Sequence, residues 1–121
     1  MRDLAIALIF ILITSVQVYY DKDVKVIVEY NLDGAEKIGS VLFGVEEIKD
    51  EVLAIFKSKD YTLEKMDFEK AIVRFKTDNY GSYRFFEGVK LSHPVNMTIF
   101  LPCGYSFNVT SDEIPQAFIF E

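Results

Sequence analysis

The chain has 121 residues, 13 basic against 19 acidic side chains, a formal charge of −6 and one cysteine. That length allows one domain around one core. The acidic balance, with no Lys or Arg after Lys90, excludes a phosphate-backbone partner, and a single thiol excludes an internal disulfide.

The first element is the uncharged run Leu4 to Tyr20, LAIALIFILITSVQVYY, with a solid aliphatic block to Ile13. As a helix rising about 1.5 Å per residue it would reach roughly 25 Å, near the lower limit for crossing a bilayer. Leu4 to Ile13 also has the length of a signal-peptide core, followed by the weakly polar Thr14 to Gln17. The expectation is a signal peptide or N-terminal membrane anchor over residues 1–17 and one extracytoplasmic domain over 18–121. If Val16 to Tyr20 is instead a strand, the apolar signal ends near Ile13 to Ser15, which favours a signal peptide over a span. Cleavage after Ser15 nevertheless puts Ile13 at the minus-three position, a poor match to the small-x-small rule. The alternative is a buried apolar helix or strand of an ordinary domain. With Cys103 the only cysteine, no thiol follows the apolar block to carry a lipid.

Val24, Val26, Val28 and Tyr30 alternate with Lys25, Ile27, Glu29 and Asn31, which predicts a strand with one β-branched face. Asp21-Lys22-Asp23 is the turn before it. From Ala35 the period changes. Ile38, Val41, Leu42, Val45, Ile48, Val52, Leu53 and Phe56 fall at helical spacing, with Glu46, Glu47, Asp50 and Glu51 on the opposite face. The spacing predicts one principal amphipathic helix over about 35–57.

The remainder predicts strands at Tyr61 to Met66, Ala71 to Thr77, Ser82 to Phe86, Val89 to Ser92, Val95 to Leu101, Tyr105 to Thr110 and Gln116 to Phe120. Pro94 and Pro102 are expected to bound the strongest of these. The fold class expected is α+β, a mainly antiparallel sheet with the helix packed on it, preceded by the apolar segment.

Chemical motifs are sparse. Asn96-Met97-Thr98 and Asn108-Val109-Thr110 are N-x-T sequons, possible glycosylation sites in an exported chain provided that the asparagines face solvent. His93 and Cys103 are expected at opposite ends of one strand, too far apart for a catalytic dyad, and Cys103 reads as a partly buried, unreactive turn thiol. Asp21 and Asp23 lack the companions of a calcium loop, and no set of metal ligands or glycine-rich phosphate loop is present, so no cofactor and no metal is expected. Tyr80, Tyr83, Phe85 and Phe86 form the densest aromatic group, expected to be core, with a binding platform as the alternative.

The Val18 to Tyr30 pattern V-Y-x-D-x-D-V-x-V-x-V-E-Y, the stretch Glu51 to Phe56 (E-V-L-A-I-F) and Pro94 to Pro102 (P-V-N-M-T-I-F-L-P) resemble archaeal secreted or membrane-anchored ectodomain proteins of unknown function. The resemblance brings no catalytic residue. The expectation is a non-catalytic envelope module for interaction or structure, meeting the membrane through its N-terminal segment if uncleaved, with a protein partner and no nucleic acid. The alternatives are a small extracytoplasmic hydrolase or metal-dependent enzyme, which would need residues such as Asp60, Glu64, His93 and Asp112 to converge, and a pilin-like subunit.

Overall fold

The computed structural model describes residues 11–32 and 46–120. Its strands are β1 (Ile11–Tyr20), β2 (Val24–Leu32), β3 (Tyr61–Met66), β4 (Lys70–Phe75), β5 (Asp78–Asn79), β6 (Tyr83–Phe86), β7 (Val89–Phe100), β8 (Ser106–Ile114) and β9 (Ala117–Phe120). One described helix, α1 (Glu46–Leu53), lies between β2 and β3.

Six strands form a mixed sheet in the order β3-β4-β2-β1-β7-β8, and three more form a second sheet, β5-β6-β9. At the centre is the β1–β2 hairpin, closed by Asp21 to Asp23, where Val16 faces Val28 and Val18 faces Val26. β7 joins β1 in parallel, with Val16 opposite Met97 and Val18 opposite Ile99, while the other ladders of this sheet are antiparallel. The period of two carries one row across the sheet: Val16, Val18, Tyr20, Val24, Val26, Val28, Ala71, Val73, Met97 and Ile99 are all buried. Fully burying an aliphatic side chain contributes about 1.5–3 kcal/mol, so this single face supplies the larger share of the core.

The small sheet covers part of that face. Phe86 lies edge-on to Tyr20 and Phe75, with ring centroids 5.9 and 6.2 Å apart, and the buried Tyr20 hydroxyl donates to the Pro115 carbonyl at 2.7 Å. α1 adds Ile48, Val52 and Leu53, and Ile55 and Phe56 follow in the turn after it. Gly88 makes the β6–β7 corner. Its φ of +88° is left-handed, and a Cβ there would stand 2.8 Å from the Ile114 carbonyl oxygen, so glycine is the residue that fits.

The α+β expectation is therefore corrected: the fold is almost entirely β, a mixed six-strand sheet with a three-strand sheet against it. The helix expected over 35–57 is helical only at Glu46–Leu53 among the described residues, and positions 35–45 lie outside them. The spacing misleads after Leu53, because Ile55 and Phe56 are buried by β pairing. Phe56 bridges Leu91, the Ser92 N–H donates to the Ile55 carbonyl at 2.9 Å and the Lys57 N–H to that of Lys90 at 3.0 Å. Pro94 does not end a strand either. β7 runs through it where the β8 register slips between Lys90 and Val95, and a missing N–H there costs no ladder bond. β8 likewise continues through Ser111 to Ile114, expected as loop.

Ile11 to Tyr20 of the apolar run is strand β1, and residues 1–10 lie outside the described ones. The boundary expected at residue 17 falls inside the part of β1 held on both sides, where Gln17 faces Ile27 in β2 and Thr98 in β7. Cleavage after Ser15 would leave that part, Val16 to Tyr20, intact. Among the described residues no helix is long and apolar enough to cross a membrane.

Candidate functional site: two outer faces

The sandwich has two faces turned away from the core, and their chemistry differs. The outer face of the small sheet follows from its register. Tyr83 pairs with Phe120 and Phe85 with Phe118, so four rings share one side, while Phe86 and Ile119 point inward. The rings touch in sequence: Phe85 to Phe118 at 5.0 Å, Phe118 to Tyr83 at 5.7 Å, Tyr83 to Phe120 at 5.9 Å, and Tyr80 stacked on Tyr83 at 5.2 Å. Tyr80 and Phe118 are each 57 % exposed and Phe120 73 %, whereas Tyr83 and Phe85 are half-buried beneath them. Large rings mutually packed yet open to water mark an interaction surface more often than an accident of folding.

This corrects the expectation that Tyr80, Tyr83, Phe85 and Phe86 are core. Phe86 alone is core, and the other three belong to the outer face. The alternation in Tyr83-Arg84-Phe85-Phe86 was the available signal. What it lacked was the pairing with residues 117–120, which brings Phe118 and Phe120 into the same patch and which the sequence reading missed.

The outer face of the large sheet is mixed, with Leu12, Ile27 and Ile72 among hydrogen-bonded polar side chains. The Gln17 side-chain amide donates to Glu29 Oε1 at 2.6 Å, and the Tyr19 hydroxyl donates to Gln17 Oε1 at 3.2 Å. The Tyr19 ring lies flat against Phe100, centroids 4.4 Å apart, with Lys25 Nζ 5.6 Å from its centre. Further along β7 and β8 the two sequons meet. Asn96 is directly opposite Thr110, and Thr98 opposite Asn108. The Thr98 hydroxyl donates to Asn108 Oδ1 and the Thr110 hydroxyl to Asn96 Oδ1, each at 2.8 Å. Both asparagines are exposed, beside a shallow groove of about 380 Å³ that Ser15 also lines.

The residues proposed for an enzyme do not come together. Asp60 lines an open cleft of about 410 Å³ with Arg74, Lys76, Asp78 and Glu87 around Tyr61 and Phe85. Glu64, on the edge strand β3, is paired with Arg74, whose guanidinium that hydrogen bond holds above its ordinary pKa. His93 and Asp112 lie on β7 and β8, at the other edge of the six-strand order, and neither lines the cleft that holds Asp60. His93 is exposed inside β7, and Cys103, expected as a partly buried thiol, is instead exposed in the turn after it. Asp21 and Asp23 sit in the β1–β2 turn, where the Asp21 N–H donates to the Asp23 carbonyl at 3.2 Å. Among the described residues no three His, Cys, Asp or Glu are grouped to hold a metal ion.

The strongest displaced titrations are structural. Burial raises the Tyr20 hydroxyl well above its ordinary pKa, and burial followed by the Asp67 charge does the same to Tyr30, whose hydroxyl donates to the Asp67 carbonyl. The Asp67 carboxylate accepts the Glu69 and Lys70 N–H groups at 2.8 and 2.9 Å, which holds it below the usual carboxylate range. It fixes the β3–β4 turn.

Among the described residues, fold and faces define a two-sheet β domain with an exposed aromatic row on the small sheet and a mixed, hydrogen-bonded outer face on the large one. No family model matches the chain, and no curated protein or solved structure matches it either.

Proposed function

We propose that the chain is a non-catalytic extracytoplasmic module, exported or tethered through its N-terminal apolar segment, that binds a protein partner through the outer rings of the small sheet. The observation that carries this reading is the alignment of Tyr83, Phe85, Phe118 and Phe120 on one exposed face. Aromatic centres rimmed by charge are what protein interfaces use, because rigid rings bury much area at small entropic cost, and here Asp78, opposite Phe85, and Glu87 of the adjoining cleft stand at the rim. A protein surface suits them better than a sugar, since three of the four rings are Phe and offer hydroxyls no hydrogen bond. Leu4 to Phe10, the part of the apolar run that precedes β1, is what supports export, and the absence of disulfide-forming cysteine pairs fits a domain held by packing.

The test places a photoreactive amino acid at Phe118, at Phe120 and, as a control, at Ile27 on the other outer face, with each chain carrying its own N-terminus. Membrane and external fractions should yield a discrete adduct from the first two positions, lost on Phe85→Asp, and none from the third. Equal labelling from both faces, or recovery of the chain only from the cytosol, overturns the reading. The hydrolase alternative receives no support from the separated Asp60, Glu64, His93 and Asp112. The pilin-like alternative receives none from Ile11 to Tyr20, which are strand.

A further inference from the structure

The two sequons are not merely both exposed. They interlock, each asparagine standing opposite the threonine of the other across the β7–β8 ladder. Asparagine and threonine two residues apart on a strand share a face, and here that face is solvent. The bonds that tie them use only the Oδ1 atoms, so both Nδ2 groups are left to the outside. We propose that Asn96 and Asn108 are a paired N-glycan acceptor site, which rests on the extracytoplasmic reading above but not on the ring face.

The donor is an oligosaccharide linked to a lipid pyrophosphate. Asparagine Nδ2 forms a bond to C1 of the first sugar as the C1–O bond to the pyrophosphate breaks. The leaving pyrophosphate keeps the electron pair, and one Nδ2 proton passes to a base of the transferase. Oδ1 is untouched, so the cross-strand hydroxyl bonds form with both sugars in place. The two asparagines are diagonal neighbours, with Cβ atoms about 7–8 Å apart, which leaves each sugar its own footprint.

Transfer precedes pairing of β8 with β7. In the finished ladder each threonine hydroxyl is already engaged by the opposite sequon, and β7 is held between β1 and β8. Glycans at these positions would cover the outer face of the large sheet and leave the rings on the other side of the sandwich bare, which is the distribution a tethered binding module requires.

The experiment expresses the full chain in a glycosylating secretory host in two forms, one with its own N-terminus and one behind an independent secretion signal. Glycosidase-sensitive mass is then read on secreted, cooperatively melting protein. The signal-fused form should carry two additions, Asn96→Gln and Asn108→Gln one each, and the double variant none. Thr98→Ser, which keeps both hydroxyl and sequon, should retain two. Secreted, folded protein without any addition overturns the proposal, and a single addition overturns it for the asparagine left bare. If the signal-fused form carries two additions while the native form stays inside the cell unmodified, the acceptor pair stands and the export reading fails.

Discussion

The outer face of the small sheet and that of the large sheet are both solvent-facing, yet they are built on opposite rules. On the large sheet polar side chains answer one another across strands, as Gln17 does Glu29 and Thr98 does Asn108. On the small sheet Tyr83, Phe85, Phe118 and Phe120 pack mainly on other rings, with Asp78 opposite Phe85 at the edge. A folded domain gains little from leaving Phe120 73 % exposed, whereas a binding domain gains an interface core. The difference teaches that stability is concentrated in the layer between the sheets, while the small sheet's outer face is the surface proposed for recognition.

The sharpest division of that kind runs through β6, where adjacent rings face opposite ways. Phe86→Ala should cost about 3–5 kcal/mol in urea denaturation, since it empties the contact with Tyr20 and Phe75. Phe118→Ala should cost only about 0.2–1 kcal/mol, the worth of a cross-strand pair, while abolishing the partner adduct. Equal costs would break the comparison.

Gly88→Ala comes next, with an expected loss above about 1 kcal/mol from a left-handed φ and from crowding of the Ile114 carbonyl. Gly104→Ala, left-handed too but with open space around its Cβ position, should lose less. Thermal midpoints of the two variants check the order.

Titration separates core from surface as well. The Tyr20 and Tyr30 hydroxyls have folded pKa values above their unfolded ones, so the stability they carry is complete below about pH 10 and is lost as pH rises through the folded values. Phenolate absorbance should show these two of the seven tyrosines ionising only as the sheet unfolds. At the acid end Asp67 has the opposite sign. Its folded pKa is depressed, so its contribution is present above the ordinary carboxylate range and is lost as pH falls through the folded value. Asp67→Ala should flatten the stability profile below about pH 4, the smallest of these effects.

Much of the inner layer was legible in the sequence. The β-branched alternation of Val24, Val26 and Val28 named the buried face of β2, and Tyr61 to Met66 with Ala71 to Thr77 named the β3–β4 hairpin within two residues. Ile48, Val52, Leu53 and Phe56 were rightly grouped as one apolar set, but helical spacing could not reveal that Phe56 is buried by a bridge to Leu91 instead of by a helix face. The parallel β1–β7 pair and the separation into two sheets are contacts between distant stretches, which local periodicity does not encode. The ring face failed for the same reason. Alternation placed Tyr83 and Phe85 together, but only contact of Phe86 with Tyr20 and Phe75 decides which side is inside. The sequons were visible as motifs, while their interlocking depends on the β7–β8 register.

Hydroxyl-radical footprinting tests the central claim most directly, comparing purified folded protein with the same chain in its native envelope. The binding-face reading predicts that Phe118 and Phe120 oxidise readily in isolation and become protected in the envelope, while Tyr19 changes little. Rings already protected in the isolated monomer, or equally reactive in both settings, would contradict it.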